Sequence, residues 1–166
     1  CPKHGQTIYE RQPNYVSLAH SLPVLPVDAG QPKLTALFSI LAVVPCTVDI
    51  ATQEILKLAK EADPEGKRTM GVLTKPDLAT ERATQQAVLD LVNGNRNDLS
   101  LGYTVVKNRG ADDHKSSLKQ RHEAERLFFA GSPWNKIQNS GRVGIEALTK
   151  HLSRLLLDIA KHEFPN

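Results

Sequence analysis

"RTMGVLTKPDLAT", Arg68 to Thr80, decides how the chain folds. Its apolar part, TMGVL (Thr69 to Leu73), runs into Thr-Lys-Pro-Asp without a polar run-in. A short apolar run bounded by turn residues is the pattern of a strand buried on both faces. Lys75, Pro76 and Asp77 then make the loop that leaves it. Two opposite charges at a strand tip are either ordinary turn chemistry or a device for reading a flat, polar ligand.

The same texture extends on both sides. "LFSILAVV" (Leu37 to Val44) is a continuous apolar run, again predicting a strand buried on both faces. Between the two strands, Ala51, Ile55, Leu58, Ala59 and Ala62 recur at spacings of three and four, one face of a helix with Asp49 or Thr52 as its cap. "DPEG" (Asp63 to Gly66) ends that helix. After the loop, Thr80 is predicted to cap a second helix with Ala83, Ala87, Val88 and Leu91 inward, closing at Asn93-Gly94. "YTVV" (Tyr103 to Val106) is a third strand, ending in "KNRG". Helical texture resumes through "LKQRHEAERLFFAG" and in a last long helix with Ile145, Leu148, Leu152, Leu155, Leu156 and Ile159 inward, stopped by Phe164-Pro165. That stripe suits either a core or an interface with a partner helix, since both want the same spacing. Trp134, in the preceding loop, is predicted to pack against this closing helix.

Strand alternating with helix means right-handed crossovers and a parallel sheet flanked by helices, an α/β fold. In such sheets ligands sit beyond the carboxyl ends of the strands. Both charged tips, Thr74 to Asp77 and Lys107 to Arg109, lie at such ends. Residues 1–36 differ: five prolines (Pro2, Pro13, Pro23, Pro26 and Pro32) and no sustained period predict an irregular lead-in, with the regular domain spanning 37–166.

Composition narrows the function classes. The 166 residues suit one domain, with 40% apolar and 23% charged residues. A net charge of +3, with basic residues scattered among 18 acids, does not point to nucleic acid, and 5% aromatics offer no stacking surface for a single strand. The longest apolar run, Ile40 to Cys46, is too short to span a bilayer. Cys1 and Cys46 form neither a metal spacing nor a disulfide framework, and Cys46 reads as a packed, reduced thiol, which favours an intracellular setting. His114 and His122, eight apart in a charged stretch, read as solvated surface.

The two tips have a specific chemical use. Guanine presents its ring N1–H and its exocyclic amino group side by side, and one ionised carboxylate at Asp77 can accept both, at about 1.5–3 kcal/mol per charge-assisted bond. Adenine carries a lone pair at the same ring nitrogen, so one aspartate tells the two bases apart. Lys75 can lay its methylene stem along the base plane, with its ammonium near the sugar oxygen. Pro76 fixes the backbone between them. From the next loop, Asn108 offers an amide and a backbone N–H near the base carbonyl, and Arg109 can stack a flat guanidinium over the ring.

With these residues in place, "ILAVVPCTVDIATQEILKLAKEADPEGKRTMGVLTKPDLAT" followed by "GYTVVKNRG" closely resembles the GTPase domain of the dynamin superfamily, its Mx-like and dynamin-like members above all. "ERLFF" and "SPW" resemble the segment before that domain's closing helix, and Phe164-Pro165 the hinge toward a stalk. The resemblance implies a Rossmann-like, P-loop GTPase-type sheet. It makes Thr74, Lys75 and Asp77 the base-reading motif and assigns Asn108 and Arg109 to the second base loop. It further implies GTP as ligand, Mg²⁺ as cofactor, membrane remodelling or fission, and contacts with membranes, microtubules and further copies through GTPase-domain and stalk surfaces. The setting it implies is cytoplasmic and peripheral to membranes. Thr80 departs from the family, which often carries an acidic residue there that meets the partner in a head-to-head dimer.

The phosphate-binding half of such a domain is not legible. No G-x-x-x-x-G-K-[ST] occurs in the 166 residues. Gly66-Lys67 lies between a helix and the following strand, the reverse of a phosphate loop. D-x-x-G appears only as "DPEG", and "SLPVL" (Ser21 to Leu25) echoes the family's D-L-P-G-L without its key residues. The expectation is the carboxyl-terminal half of a dynamin-type GTPase domain, with the Mg²⁺ ligands absent, which binds guanine and does not turn over GTP on its own. The alternative is a degenerate, non-catalytic GTPase-fold module kept for protein–protein contacts. With part of the sheet missing, unpaired strand edges would be exposed.

Overall fold

The computed structural model describes residues 39–49, 53–96, 99–110 and 113–163. Three strands, β1 (Ile40–Pro45), β2 (Thr69–Thr74) and β3 (Tyr103–Val106), form a parallel sheet in the order β1-β2-β3. Four helices are interleaved: α1 (Glu54–Ala62), α2 (Arg82–Val92), α3 (Leu118–Ala130) and α4 (Gly144–Glu163). Short 3₁₀ turns occupy Pro76–Leu78 and Trp134–Ser140. The α/β class and the parallel sheet flanked by helices are as the sequence predicts. The irregular lead-in assigned to 1–36 lies outside the described residues.

Because neighbouring residues of a strand face opposite sides, the sheet has two separate cores. On one side Val44, Leu73, Tyr103 and Val105 meet Val88, Leu89, Leu91 and Val92 of α2, Phe129 of α3, and Trp134 and Ile137. On the other, Met70, Val72 and Val106 meet Leu148, Ile145 and Leu152 of α4. Gly71 stands opposite Tyr103 in the β2–β3 register, and a methyl group there would overlap the tyrosine ring. The absent side chain is what lets the ring lie across β2.

Register places the site. Pro45 pairs with Thr74, and Thr74 pairs with Val106, so all three strands end at one level. At the other end of β2, the "DPEG" turn is closed by the buried Asp63, whose Oδ2 accepts from the Thr69 hydroxyl at 2.6 Å and the Arg68 amide at 3.0 Å. Burial pushes the Asp63 carboxyl up, and these donors, with the Arg68 guanidinium, more than reverse it, leaving its pKa below the usual range.

Several expectations are corrected. β1 is not buried on both faces: Leu41 is 41% and Val43 50% exposed, while Ala42 and Val44 are fully buried. Leu41 and Val43, in register with Met70 and Val72, lie on the α4 side of the sheet, and α4 packs over β3, leaving β1, the edge strand among the described residues, open there. In α1 the inward residues are Leu56 and Ala59, with Ile55 and Leu58 each 42% exposed, because an edge strand presents the helix with only one flank to cover. Gln53, not Asp49, stands at the α1 N-cap; Ala51 and Thr52 lie outside the described residues. Glu81, not Thr80, occupies the α2 cap position, and Ala83 is exposed. Leu156 of α4 is 59% exposed. Trp134 packs edge-on to Phe129 and tilted against Phe128 of α3, on the face of the sheet opposite to α4.

Candidate functional site

The first candidate loop combines buried anchors with exposed side chains. The carbonyl of Thr74, the last residue of β2, accepts from the Cys46 amide at 2.7 Å, tying the end of β2 to the exit of β1. Pro76 and Ala79 are buried, whereas Lys75, Asp77 and Leu78 face solvent. The Lys75 carbonyl accepts from the Leu78 amide at 3.1 Å and the Pro76 carbonyl from the Ala79 amide at 3.2 Å, closing the 3₁₀ turn. Gln85 of α2 donates to the Ala79 carbonyl at 2.8 Å and fixes the far end. The anchors hold the loop and leave the charged side chains in solvent.

Lys75 carries a conformational cost. Its φ of 55° and ψ of 45° lie in the left-handed region, and among the described residues no other non-glycine has positive φ. For an L-residue that region costs roughly 1–2 kcal/mol, and strained backbone collects at functional sites. Here the strain turns the chain so that Pro76 drops inward and Asp77 comes out.

Cys46 lies near this loop. Burial, aided by the negative charge of Asp77, pushes its thiol up to about 12, so it stays protonated and is not a nucleophile. It is a free, packed cysteine, as its sequence context predicts.

The second loop leaves β3 at the matching level. The Lys107 amide donates to Glu125 Oε1 at 2.8 Å, and the Lys107 ammonium sits 5.5 Å from the Phe128 ring centroid. Asn108 and Arg109 are exposed. Arg109 Nη1 donates to the Asp113 carbonyl at 2.7 Å, which draws the guanidinium along its own loop. Asp113 in turn accepts from the Ser116 amide at 3.0 Å, and bonds from Ser116 hold its carboxyl below the usual range. Ser117 then caps α3 in a reciprocal pair with Gln120.

Thr74, Lys75 and Asp77 thus stand on one loop, Asn108 and Arg109 on its neighbour, and the β2–β3 register brings the two loops side by side. A cavity of about 270 Å³ lies under the second loop, lined by Lys107, Asn108, Arg109, Leu118, Arg121, His122, Glu125 and Ile145. Asp77 is not among its lining residues. Larger cavities lie elsewhere. One of about 660 Å³ opens at the amino ends of the strands, beside Asp63, Gly66 and Tyr103, and one of about 740 Å³ lies between α3 and α4. The first is remote from the carboxyl end of the sheet, where α/β proteins bind ligands; the second shares His122, Glu125 and Ile145 with the cavity under the second loop. His114 and His122 are both exposed.

Glu125 is the functional candidate that sequence reasoning missed. A glutamate in a mid-helix run of charged residues reads as surface, yet it is 7% exposed and accepts from two backbone amides. Among the described residues, no group of three or more His, Cys, Asp or Glu side chains could hold a metal ion. No helix among them is long and apolar enough to cross a membrane.

Two family models match the chain: one described as "Dynamin family", over residues 34–76, and one as "Dynamin central region", over residues 87–166. Among curated proteins, an interferon-induced GTP-binding protein Mx of Perca fluviatilis is 41% identical over 125 residues, covering 74% of this chain and 40% of that protein. Mx1 of Oncorhynchus mykiss is 41% identical over 125 residues, covering 74% of this chain and 20% of its own length. Mx1 of Bos taurus is 42% identical over 125 residues, with 73% and 19% covered. The chain therefore spans less than half the length of each of these relatives.

Proposed function

Because the chain belongs to the dynamin superfamily, we propose that residues 37–166 are the carboxyl-terminal part of a GTPase domain and read the guanine base of GTP. Asp77 accepts the two adjacent donors of guanine, Lys75 covers the base plane and reaches the sugar oxygen, and Thr74 ties the loop to the sheet. Asn108 and Arg109 close over the base from the second loop. The observation that carries this is the left-handed Lys75: the chain holds a strained lysine at the one turn where it throws Asp77 outward over a buried proline. Strain of that kind persists where the surroundings enforce it.

Base recognition is one part of a GTPase. The triphosphate needs backbone N–H groups and an ammonium, and hydrolysis needs a positioned water and metal-assisted charge neutralisation. The residues described supply the base end alone. On this reading the whole protein is a GTPase that assembles with further copies and works on membranes, in the cytoplasm and at membrane surfaces, with microtubules as a further partner. The 166-residue chain by itself binds guanine nucleotide and does not turn over GTP. A phosphate-release assay on the isolated chain tests the last point, and turnover well above background contradicts it.

The base assignment is tested by titration with a fluorescent guanine nucleotide, repeated with an adenine nucleotide as competitor and on Asp77→Ala. Binding that survives adenine competition and is lost in Asp77→Ala is the expected result. Unchanged affinity in Asp77→Ala contradicts the assignment and leaves a GTPase-fold module without a base site.

A further inference from the structure

We infer that Glu125 is a positioning residue for the second base loop, its carboxylate clasping the exit of β3 to the first turn of α4 so that Asn108 and Arg109 are held where a base can meet them. The inference rests on the guanine-reading role proposed above and adds to it a residue that touches no base.

The geometry is that of a two-sided clasp. Glu125 Oε1 accepts from the Lys107 amide at 2.8 Å, and Oε2 accepts from the Ile145 amide at 2.9 Å. Lys107 is the first residue past β3 and directly precedes Asn108; Ile145 is in the first turn of α4. Burying a carboxylate is costly unless its oxygens are met by donors. Here both oxygens are used by backbone amides, one of them at a helix N-terminus, where negative charge is favoured. The neighbourhood is shaped for that group. Gly144 has φ +86°, and a Cβ there would stand 3.3 Å from Oε2, so glycine keeps the carboxylate seated. The lead-in to α4 is also laid along β3, with the Val105 amide donating to the Arg142 carbonyl at 3.0 Å. Glu125 lines the same 270 Å³ cavity as Asn108 and Arg109, so it forms part of the floor on which that loop rests.

A purely architectural glutamate would set stability alone. A positioning glutamate also sets how well Asn108 works. In the full 166-residue chain, Glu125→Gln keeps the volume but turns an amino group toward one of the two amides, and Glu125→Asp keeps the charge but is too short to reach both. Each is expected to weaken binding of a fluorescent guanine nucleotide roughly three- to tenfold, the loss of one such hydrogen bond, and to lower the guanine-over-adenine ratio. In an Asn108→Ala/Arg109→Ala background, either Glu125 change is expected to weaken binding no further, since both act through the one loop. In the unaltered chain, amide resonances of Lys107 and Ile145 are expected to shift together with Asn108 when guanosine monophosphate is added. That measurement stands even where a variant does not fold. Glu125 variants that fold and bind with unaltered affinity and discrimination, while Asp77→Ala loses binding, overturn the positioning role alone. Lys107 and Ile145 resonances that stay still while Asn108 shifts overturn it as well. If Asp77→Ala is also silent, the base assignment fails, and the positioning role fails with it.

Discussion

Replacing Lys75 with glycine should make the chain more stable and a poorer guanine binder. Lys75 is the lone left-handed non-glycine among the described residues, and its side chain is exposed, so truncation removes little packing. Relief of the left-handed backbone is worth roughly 1–2 kcal/mol. Against this, glycine frees the unfolded chain by about 0.4–1 kcal/mol. The balance is a gain of about 0.5–1 kcal/mol, or a rise in Tm of about 2–4 °C per kcal/mol at this chain length. The lost stem and ammonium over an exposed ring are worth about 0.5–1 kcal/mol, a two- to fivefold weaker guanine nucleotide affinity. Lys75→Asn, a residue that tolerates the left-handed region, should fall between the parent and the glycine variant in stability. Thermal unfolding and nucleotide titration on the three proteins read both quantities. A fall in Tm for Lys75→Gly would refute the strain, and a rise in Tm with unchanged affinity would refute its link to base reading.

Gly71→Ala drives a methyl group into the Tyr103 ring and should destabilise by about 1–3 kcal/mol, read as a lower denaturant midpoint at unchanged slope; a neutral result would mean that the ring does not lie across β2. Burial and the nearby Arg142, Arg154 and Lys150 hold His151 below its ordinary 6.5. The unfolded chain therefore takes up its proton first as pH falls, so this contribution to stability is complete above 6.5 and is lost below it, toward the lowered folded value. Denaturant midpoints at pH 7.5 and pH 5.5 should differ less in His151→Gln than in the parent. Leu41 and Val43 leave an apolar strip beside the edge of β1, so Leu41→Lys with Val43→Lys should reduce self-association of the isolated chain in sedimentation experiments; an unchanged distribution would rule the strip out as the contact.

What could be read from the sequence follows from how far each signal reaches. β2 and β3 are bounded by Gly, Pro and charged residues and buried along their length, save the half-buried Thr74 at the end of β2, so run length and punctuation locate them within a residue. The two base loops follow from those strands, because a carboxyl end in a parallel sheet is where ligands bind. β1 misled for a physical reason: Leu41 and Val43 are as apolar as a doubly buried strand requires, but whether a helix covers them depends on where α4 lies. In α1, Ala59 is inward as its spacing predicts, but Ile55 and Leu58 flank it as regularly as Leu56 does, and only the position of the sheet chooses between them. Glu125 had no local signal at all. Its partners, Lys107 and Ile145, are 18 and 20 residues away in opposite directions, and a charged helix face looks the same whether or not one carboxylate turns inward.

The most direct test exchanges one oxygen for one amino group at the base-reading position. Asp77→Asn can still accept from the guanine ring N1–H, but it now faces the exocyclic amino group with a donor of its own, while xanthine offers a carbonyl at that place. Titration of the parent chain and Asp77→Asn with guanosine and xanthosine monophosphates should show preference passing from guanine to xanthine. Equal guanosine affinity in the two proteins, with no gain for xanthosine, would mean that Asp77 does not touch the base.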